Sequence, residues 1–178
     1  MKNKAYDLVL IALFVALMAI CAWITIPAAV PFTMQTFGVF LALLLLGGKR
    51  GAICMAVYLL LGAVGVPVFS GFRGGVSALV GSTGGYLVGF IVSALLMWAL
   101  TGFARRNRWT LAVALAVSLL ACYGFGTVWF VVVSVRAGKA MTFGTALSFC
   151  VLPYILPDAA KIWLAYFLSK RLKRFVKA

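Results

Sequence analysis

The sequence predicts an all-α integral membrane protein of six transmembrane helices, with both termini cytoplasmic and a Gly-rich extracytoplasmic loop between helices 3 and 4. Three observations carry this. Of 178 residues, 66% are hydrophobic and only 10% are charged, whereas a soluble domain of this size uses about 45–50% apolar and about 25% charged residues. Such a chain cannot cover itself with polar groups and needs the bilayer as a second solvent. Its charges also fall in clusters separated by long neutral runs. Finally, those clusters are almost entirely basic, with sixteen Lys and Arg against two acids, Asp7 and Asp158.

Each neutral run can be measured against the roughly 20 residues that a helix needs to cross a membrane. Leu8 to Gly48 is too long for one helix, and Pro27 and Pro31 divide it, because a helix interior resists proline. Helix 1 is expected at about 7–26, a loop at 27–32 and a short helix 2 at 33–47. Helix 3 follows at 51–65, then the Gly-rich stretch. Helix 4 runs over 84–103 and stops before Arg105-Arg106-Asn107-Arg108. The neutral run Trp109 to Val135 supplies helix 5. Helix 6 spans 142–169 and holds the only charges inside any span, Asp158 and Lys161. The whole chain, 1–178, reads as a single membrane domain. Helix 1 exceeds the 7–15 apolar residues typical of a signal peptide, and Ala28-Ala29 before Val30-Pro31 makes a poor cleavage site, so it is expected to stay.

Short loops rich in Lys and Arg remain cytoplasmic. Lys2, Lys4, Lys49, Arg50, Arg105, Arg106, Arg108, Lys170, Arg171, Lys173, Arg174 and Lys177 fall on one side of the six-span layout. Arg73, Arg136 and Lys139 fall on the other. This twelve-to-three bias places both termini in the cytoplasm and the chain in the cytoplasmic membrane. The basic C-terminal run reads as topology and attraction to anionic membrane lipid rather than nucleic-acid binding.

Composition also limits the chemistry. The chain has no His and no Glu, so carboxylate pairs, His-based triads and metal clusters have no material, and no catalytic or metal-ligating set is assigned. Cys21, Cys54, Cys122 and Cys150 occur singly in apolar runs and read as packing residues. Gly138-Lys139 lacks the rest of a phosphate-binding loop, so no ATP or other cofactor is expected on this chain.

Three segments stand out as a binding site. The first loop ends in Thr33-Met34-Gln35, a polar pair at the mouth of an apolar helix. Between Ser70 and Tyr86 lie six glycines, including Gly74, Gly75, Gly84 and Gly85, with Phe72, Arg73, Ser82, Thr83 and Tyr86 among them. Irregular backbone near membrane depth is tolerated only where it is buried or lines a cavity, so a flexible hairpin is the alternative to a pocket wall. In helix 6, Leu156-Pro157-Asp158-Ala159-Ala160-Lys161 sets an acid and a base at i,i+3, on one face. Each charge costs about 2.5–3.5 kcal/mol at a helix centre, which marks a functional pair unless the two only compensate each other. Lys161 is roughly 13–14 Å from the end of its helix at 1.5 Å per residue, too deep to snorkel easily. Pro153 and Pro157 are expected to kink the helix and free carbonyls. Ala12 and Ala16 in helix 1, four apart, suit either packing within the chain or docking to another membrane protein.

On these residues the sequence resembles the BioY family, biotin-specific substrate-binding (S) components of energy-coupling factor (ECF) transporters. Val30-Pro31-Phe32-Thr33-Met34-Gln35, then Gly74-Gly75 through Gly81-Ser82-Thr83-Gly84-Gly85-Tyr86, then Pro157-Asp158-Ala159-Ala160-Lys161 carry the likeness, in order and over nearly the whole chain. Ser82 stands where Pro is common, and Pro157 directly precedes Asp158 where the family often has Pro-Gly-Asp. The resemblance implies biotin as ligand, bound by Asp158, Lys161, Gln35, Thr33, Arg73, Gly74, Gly75, Thr83, Gly84, Gly85 and Tyr86. It further implies docking through Ala12 and Ala16 to a transmembrane coupling protein of the EcfT type, with two ATPase subunits hydrolysing ATP. Which end of biotin meets Lys161 stays open. An S component for another vitamin, a carrier acting alone and a membrane-embedded lipid-modifying enzyme are the other readings.

Overall fold

In the computed structural model, residues 4–28 and 30–176 are described; Lys2, Ala29 and Lys177 lie outside them. The helices are α1 (Lys4–Trp23), α2 (Gln35–Ala63), α3 (Val76–Val80), α4 (Gly84–Ala99), α5 (Thr101–Ala104), α6 (Arg108–Arg136), α7 (Phe143–Cys150) and α8 (Leu152–Leu172). Two residues of β1 (Thr25–Ile26) pair antiparallel with two of β2 (Phe32–Thr33). That pairing ends helix 1 at Trp23 rather than 26, and turns the loop through Pro27 and Pro31 into a tight ribbon. Three helices, α1, α2 and α6, are long and apolar enough to cross a membrane, and the bent α7–α8 pair passes the same test together.

α2 is not one straight rod. Gly47 has φ 78° and ψ 174°, a conformation that only glycine adopts cheaply, and the chain doubles back there. The reversal brings Tyr58 against Gln35, with 2.6 Å between the Tyr58 hydroxyl and Gln35 Nε2, and leaves Gly51 against Leu43. The arms 35–46 and 48–63 therefore run antiparallel. The sequence places this break at 48–50, on Lys49-Arg50; the bend sits one residue earlier, where the backbone needs glycine.

Other boundaries shift for similar local reasons. The expected helix 4 is interrupted at Leu100, giving α4 and α5. Asn107 caps α6, accepting from the Trp109 and Thr110 amides at 2.9 Å each. The expected helix 6 breaks at Val151 (φ −125°, ψ −55°) into α7 and α8, which are bent by 43°. The sequence attributes the kink to Pro153 and Pro157. Pro153 instead occupies the first turn of α8, where proline is tolerated, so the break falls just upstream of it, and α8 runs on through Pro157.

α2 packs against α1, α4 and α8, and α4 packs against α6. Close approach at glycine makes these contacts. A Cβ on Gly48 would lie 2.3 Å from Trp98 Cα, and one on Gly85 would lie 2.2 Å from Trp129 Cβ. The Tyr6 hydroxyl donates to the Phe175 carbonyl at 3.2 Å, so both ends of the described chain meet at one end of the bundle. Large apolar side chains such as Leu8, Leu13, Leu120, Leu156 and Trp163 stay exposed around the outside, as a lipid-facing surface requires.

Candidate functional site

The three segments singled out by sequence converge on one cavity, between the first loop, the 69–83 stretch and the middle of the bundle. At its base lie Asp158 and Lys161, 4% and 6% exposed. The pair is direct, with Lys161 Nζ 2.8 Å from Asp158 Oδ1. Each charge has a further partner. Lys161 Nζ donates to the Thr33 carbonyl at 2.8 Å and lies 3.8 Å from the centroid of the Phe32 ring. The Tyr123 hydroxyl donates to Asp158 Oδ2 at 2.6 Å. A buried ion pair is stable only when additional hydrogen bonds hold it, and here the first loop and α6 supply them. α8 presents the pair, because one helical turn separates the two residues.

Above the pair, Gln35 is held in place. Its Nε2 donates to the Tyr58 hydroxyl, which in turn donates to the Val68 carbonyl at 2.7 Å. The Thr33 hydroxyl accepts from the Gln35 amide at 3.1 Å. These bonds tie the first loop to the chain leading into the Gly-rich segment. Tyr86 meets Thr127 across α4 and α6 at 3.2 Å, and the Tyr154 hydroxyl donates to the Val30 carbonyl. Arg73 is exposed at the margin of the cavity, where it donates to the Ser70 carbonyl at 3.0 Å. The site is thus graded, with a compensated acid and base at its base, aromatic and apolar walls of Phe69, Phe90 and Tyr154, and a cation at its edge.

Of the residues expected at the site, Asp158, Lys161, Gln35, Thr33, Arg73, Thr83 and Tyr86 line this cavity, and Gly74, Gly75, Gly84 and Gly85 do not. Those four glycines let backbone meet backbone or a neighbouring helix. A Cβ on Gly84 would sit 1.7 Å from the Leu79 carbonyl oxygen, and one on Gly74 would sit 2.5 Å from that of Val66. Gly75, at φ 91°, donates its amide to the Gly62 carbonyl at 2.6 Å. The Gly-rich stretch is accordingly folded: a 3₁₀ turn at Ser70–Phe72, then α3, held to α6 by a 2.9 Å bond from Trp129 Nε1 to the Gly81 carbonyl. Glycine shapes the wall and other side chains face the ligand space.

Sequence reasoning passed over Tyr123, Tyr58 and Phe32. A signal for Tyr123 exists: Ser118, Cys122, Tyr123 and Thr127 form a polar stripe at helical spacing in an otherwise apolar run, and all four are buried. Phe32 belongs to the first quoted segment, but cation–π contact with Lys161 is a tertiary fact. Ala12 and Ala16 are both exposed on the outer face of α1, while Phe14, Val15 and Met18 face inward.

Such a bundle, apolar outside and enclosing a cavity with a paired acid and base at its base, defines a multi-pass membrane protein with a candidate site for a small polar ligand. More particularly, the chain belongs to the BioY family, whose model matches residues 1–178. The biotin transporter BioY of Thermotoga maritima is 39% identical over 169 residues, covering 94% of this chain and 96% of its own. A probable biotin transporter BioY of Pyrococcus horikoshii is 36% identical over 172 residues, covering 96% and 98%. The crystal structure of an S component for biotin from an ECF-type ABC transporter superposes with a TM-score of 0.83 at 26% identity, over 98% of this chain and 95% of that one.

Proposed function

We propose that this chain is the biotin-binding S component of an ECF-type importer, a transport subunit and not an enzyme. The observation that carries the reading is the convergence of Asp158, Lys161, Thr33 and Gln35 on one buried cavity in a chain whose full-length relatives are named biotin transporters. The chemistry is complementary. The ureido ring of biotin offers two N–H donors and one carbonyl acceptor, which suit an acid and an ammonium side by side. Its thioether ring suits aromatic walls. With the ureido ring on the Asp158–Lys161 pair, the valerate carboxylate points toward Arg73, the one cation among the other lining residues.

In this reading the chain crosses the cytoplasmic membrane six times, through α1, the two arms of α2, α4 with α5, α6, and the bent α7–α8 pair. The turn at Gly47, the 105–108 segment and both termini face the cytoplasm, and the Gly-rich segment faces outward. The charge bias supports that orientation, since Lys49, Arg50, Arg105, Arg108, Lys170 and Lys173 gather around one space at the same end of the bundle. The sequence contains no phosphate-binding loop, and in this reading inward release draws on a transmembrane coupling protein of the EcfT type and two ATPase subunits. The exposed Ala12 and Ala16 form the docking stripe, small enough for another helix to approach closely. In this reading the chain binds no cofactor itself. S components for other vitamins and lipid-modifying enzymes are less well supported: the relatives are named for biotin, and the one intramembrane carboxylate, tied up in an ion pair with Lys161 and with no His in the sequence, leaves no second group for acid–base catalysis.

Uptake into proteoliposomes tests the division of labour. Labelled biotin is expected to accumulate when the chain is reconstituted with a coupling protein, two ATPases and ATP, and to stay at background without them. Equal uptake by the chain alone would make it a self-sufficient carrier.

A further inference from the structure

A second cavity, of about 830 Å³, lies at the opposite end of the bundle from the Gly-rich segment, beside the Gly47 turn. Six bases line it, Lys49, Arg50, Arg105, Arg108, Lys170 and Lys173, and among the described residues no carboxylate does. Like charges gathered around one space repel each other unless an anion lies among them. Arg50 sharpens the point. Its Nη2 is 3.2 Å from Asp7 Oδ1, and its Nη1 has no acceptor among the described residues, so Asp7 leaves the hydrogen bonding of this guanidinium incomplete.

The cavity does not end at the charges. Through Arg108, Leu111 and Tyr166, which line both spaces, it joins an apolar groove of about 580 Å³ between α6 and α8. α6 packs mainly on α4 and α8 on α2; α6 and α8 meet where Tyr123 reaches Asp158, and elsewhere leave a groove between them lined by Leu115, Ala116, Ile162 and Trp163. An occupant that satisfies both parts carries a negative head and a long apolar chain. A soluble phosphate satisfies only the first. Basic pockets between transmembrane helices on the cytoplasmic side suit anionic lipid headgroups in general.

We propose that an anionic phospholipid occupies this composite site, its phosphate among Arg50, Arg105, Arg108 and Lys170 and one acyl chain in the α6–α8 groove. The groove also reaches Leu119, which lines the Asp158 cavity, so the chain of the lipid covers the outer side of the ligand-cavity wall.

Native mass spectrometry of the purified, delipidated full chain tests this, with phosphatidylglycerol, phosphatidylcholine and glycerol 3-phosphate as probes. Phosphatidylglycerol is expected to bind at least tenfold more tightly than phosphatidylcholine. Arg108→Gln with Lys170→Gln should erase that preference, and Ala116→Trp, which leaves every charge in place and blocks the groove, should weaken both lipids. The groove variant keeps the test decisive if the charge variant fails to fold. Equal binding of the two lipids, a preference untouched by the folded charge variant, or affinity for both lipids untouched by the groove variant overturns the proposal. Displacement of phosphatidylglycerol by equimolar glycerol 3-phosphate overturns it in favour of a soluble phosphate site.

Discussion

Lys161→Ala is expected to lower biotin affinity at least tenfold in titration calorimetry of the purified protein, and Asp158→Asn to do the same. A hydrogen bond to a charged group contributes about 1.5–3 kcal/mol, or roughly 10- to 150-fold in affinity, and both residues line the cavity. Lys161→Ala carries a second cost. It leaves Asp158, 4% exposed, with the Tyr123 hydroxyl alone, and breaking a buried pair from one side costs about 3–5 kcal/mol of stability. Removing both charges avoids that cost. The double variant Asp158→Asn with Lys161→Met is therefore expected to melt above Lys161→Ala while still failing to bind biotin. Recovery of stability without recovery of binding separates a ligand-binding pair from a merely structural one. Unchanged affinity in both single variants would make the pair structural.

Ala12→Trp with Ala16→Trp is expected to abolish co-purification with the coupling protein and its ATPases while leaving biotin affinity within about twofold. Both alanines are exposed on α1, away from the cavity. The added rings therefore meet no neighbour within the chain and block only a helix that must approach closely. Loss of biotin binding would instead assign that stripe to packing inside the bundle. An intact complex would move the docking surface elsewhere.

Much of the site is legible before any coordinates. Two charges within an apolar helix at i,i+3, a Thr and a Gln at the mouth of another, and a Gly-rich run with hydroxyls are each anomalous in a membrane segment, and the anomalies converge in space. What was not legible is tertiary. Spacing alone does not say that Gly84 and Gly85 serve contacts with Leu79 and Trp129 while Thr83 and Tyr86 beside them line the cavity. Nor does it say that Tyr123, 35 residues from Asp158, completes the acid's hydrogen bonding. Helix ends shift where loop geometry outcompetes periodicity: the Ile26–Phe32 pairing shortens helix 1, and the start of α8 at Leu152–Pro153 moves a kink upstream of its prolines. The basic residues were legible as a charge bias. Their enclosure of a single space, with an open apolar seam leading from it, depends on how α2, α4, α6 and α8 meet.

Titration of the purified chain with biotin, thiamine and riboflavin tests the central claim most directly. Saturable, stoichiometric binding of biotin with no detectable heat from thiamine or riboflavin is the predicted result. Binding of either other vitamin in preference to biotin, or of none of the three by a folded protein, would contradict it.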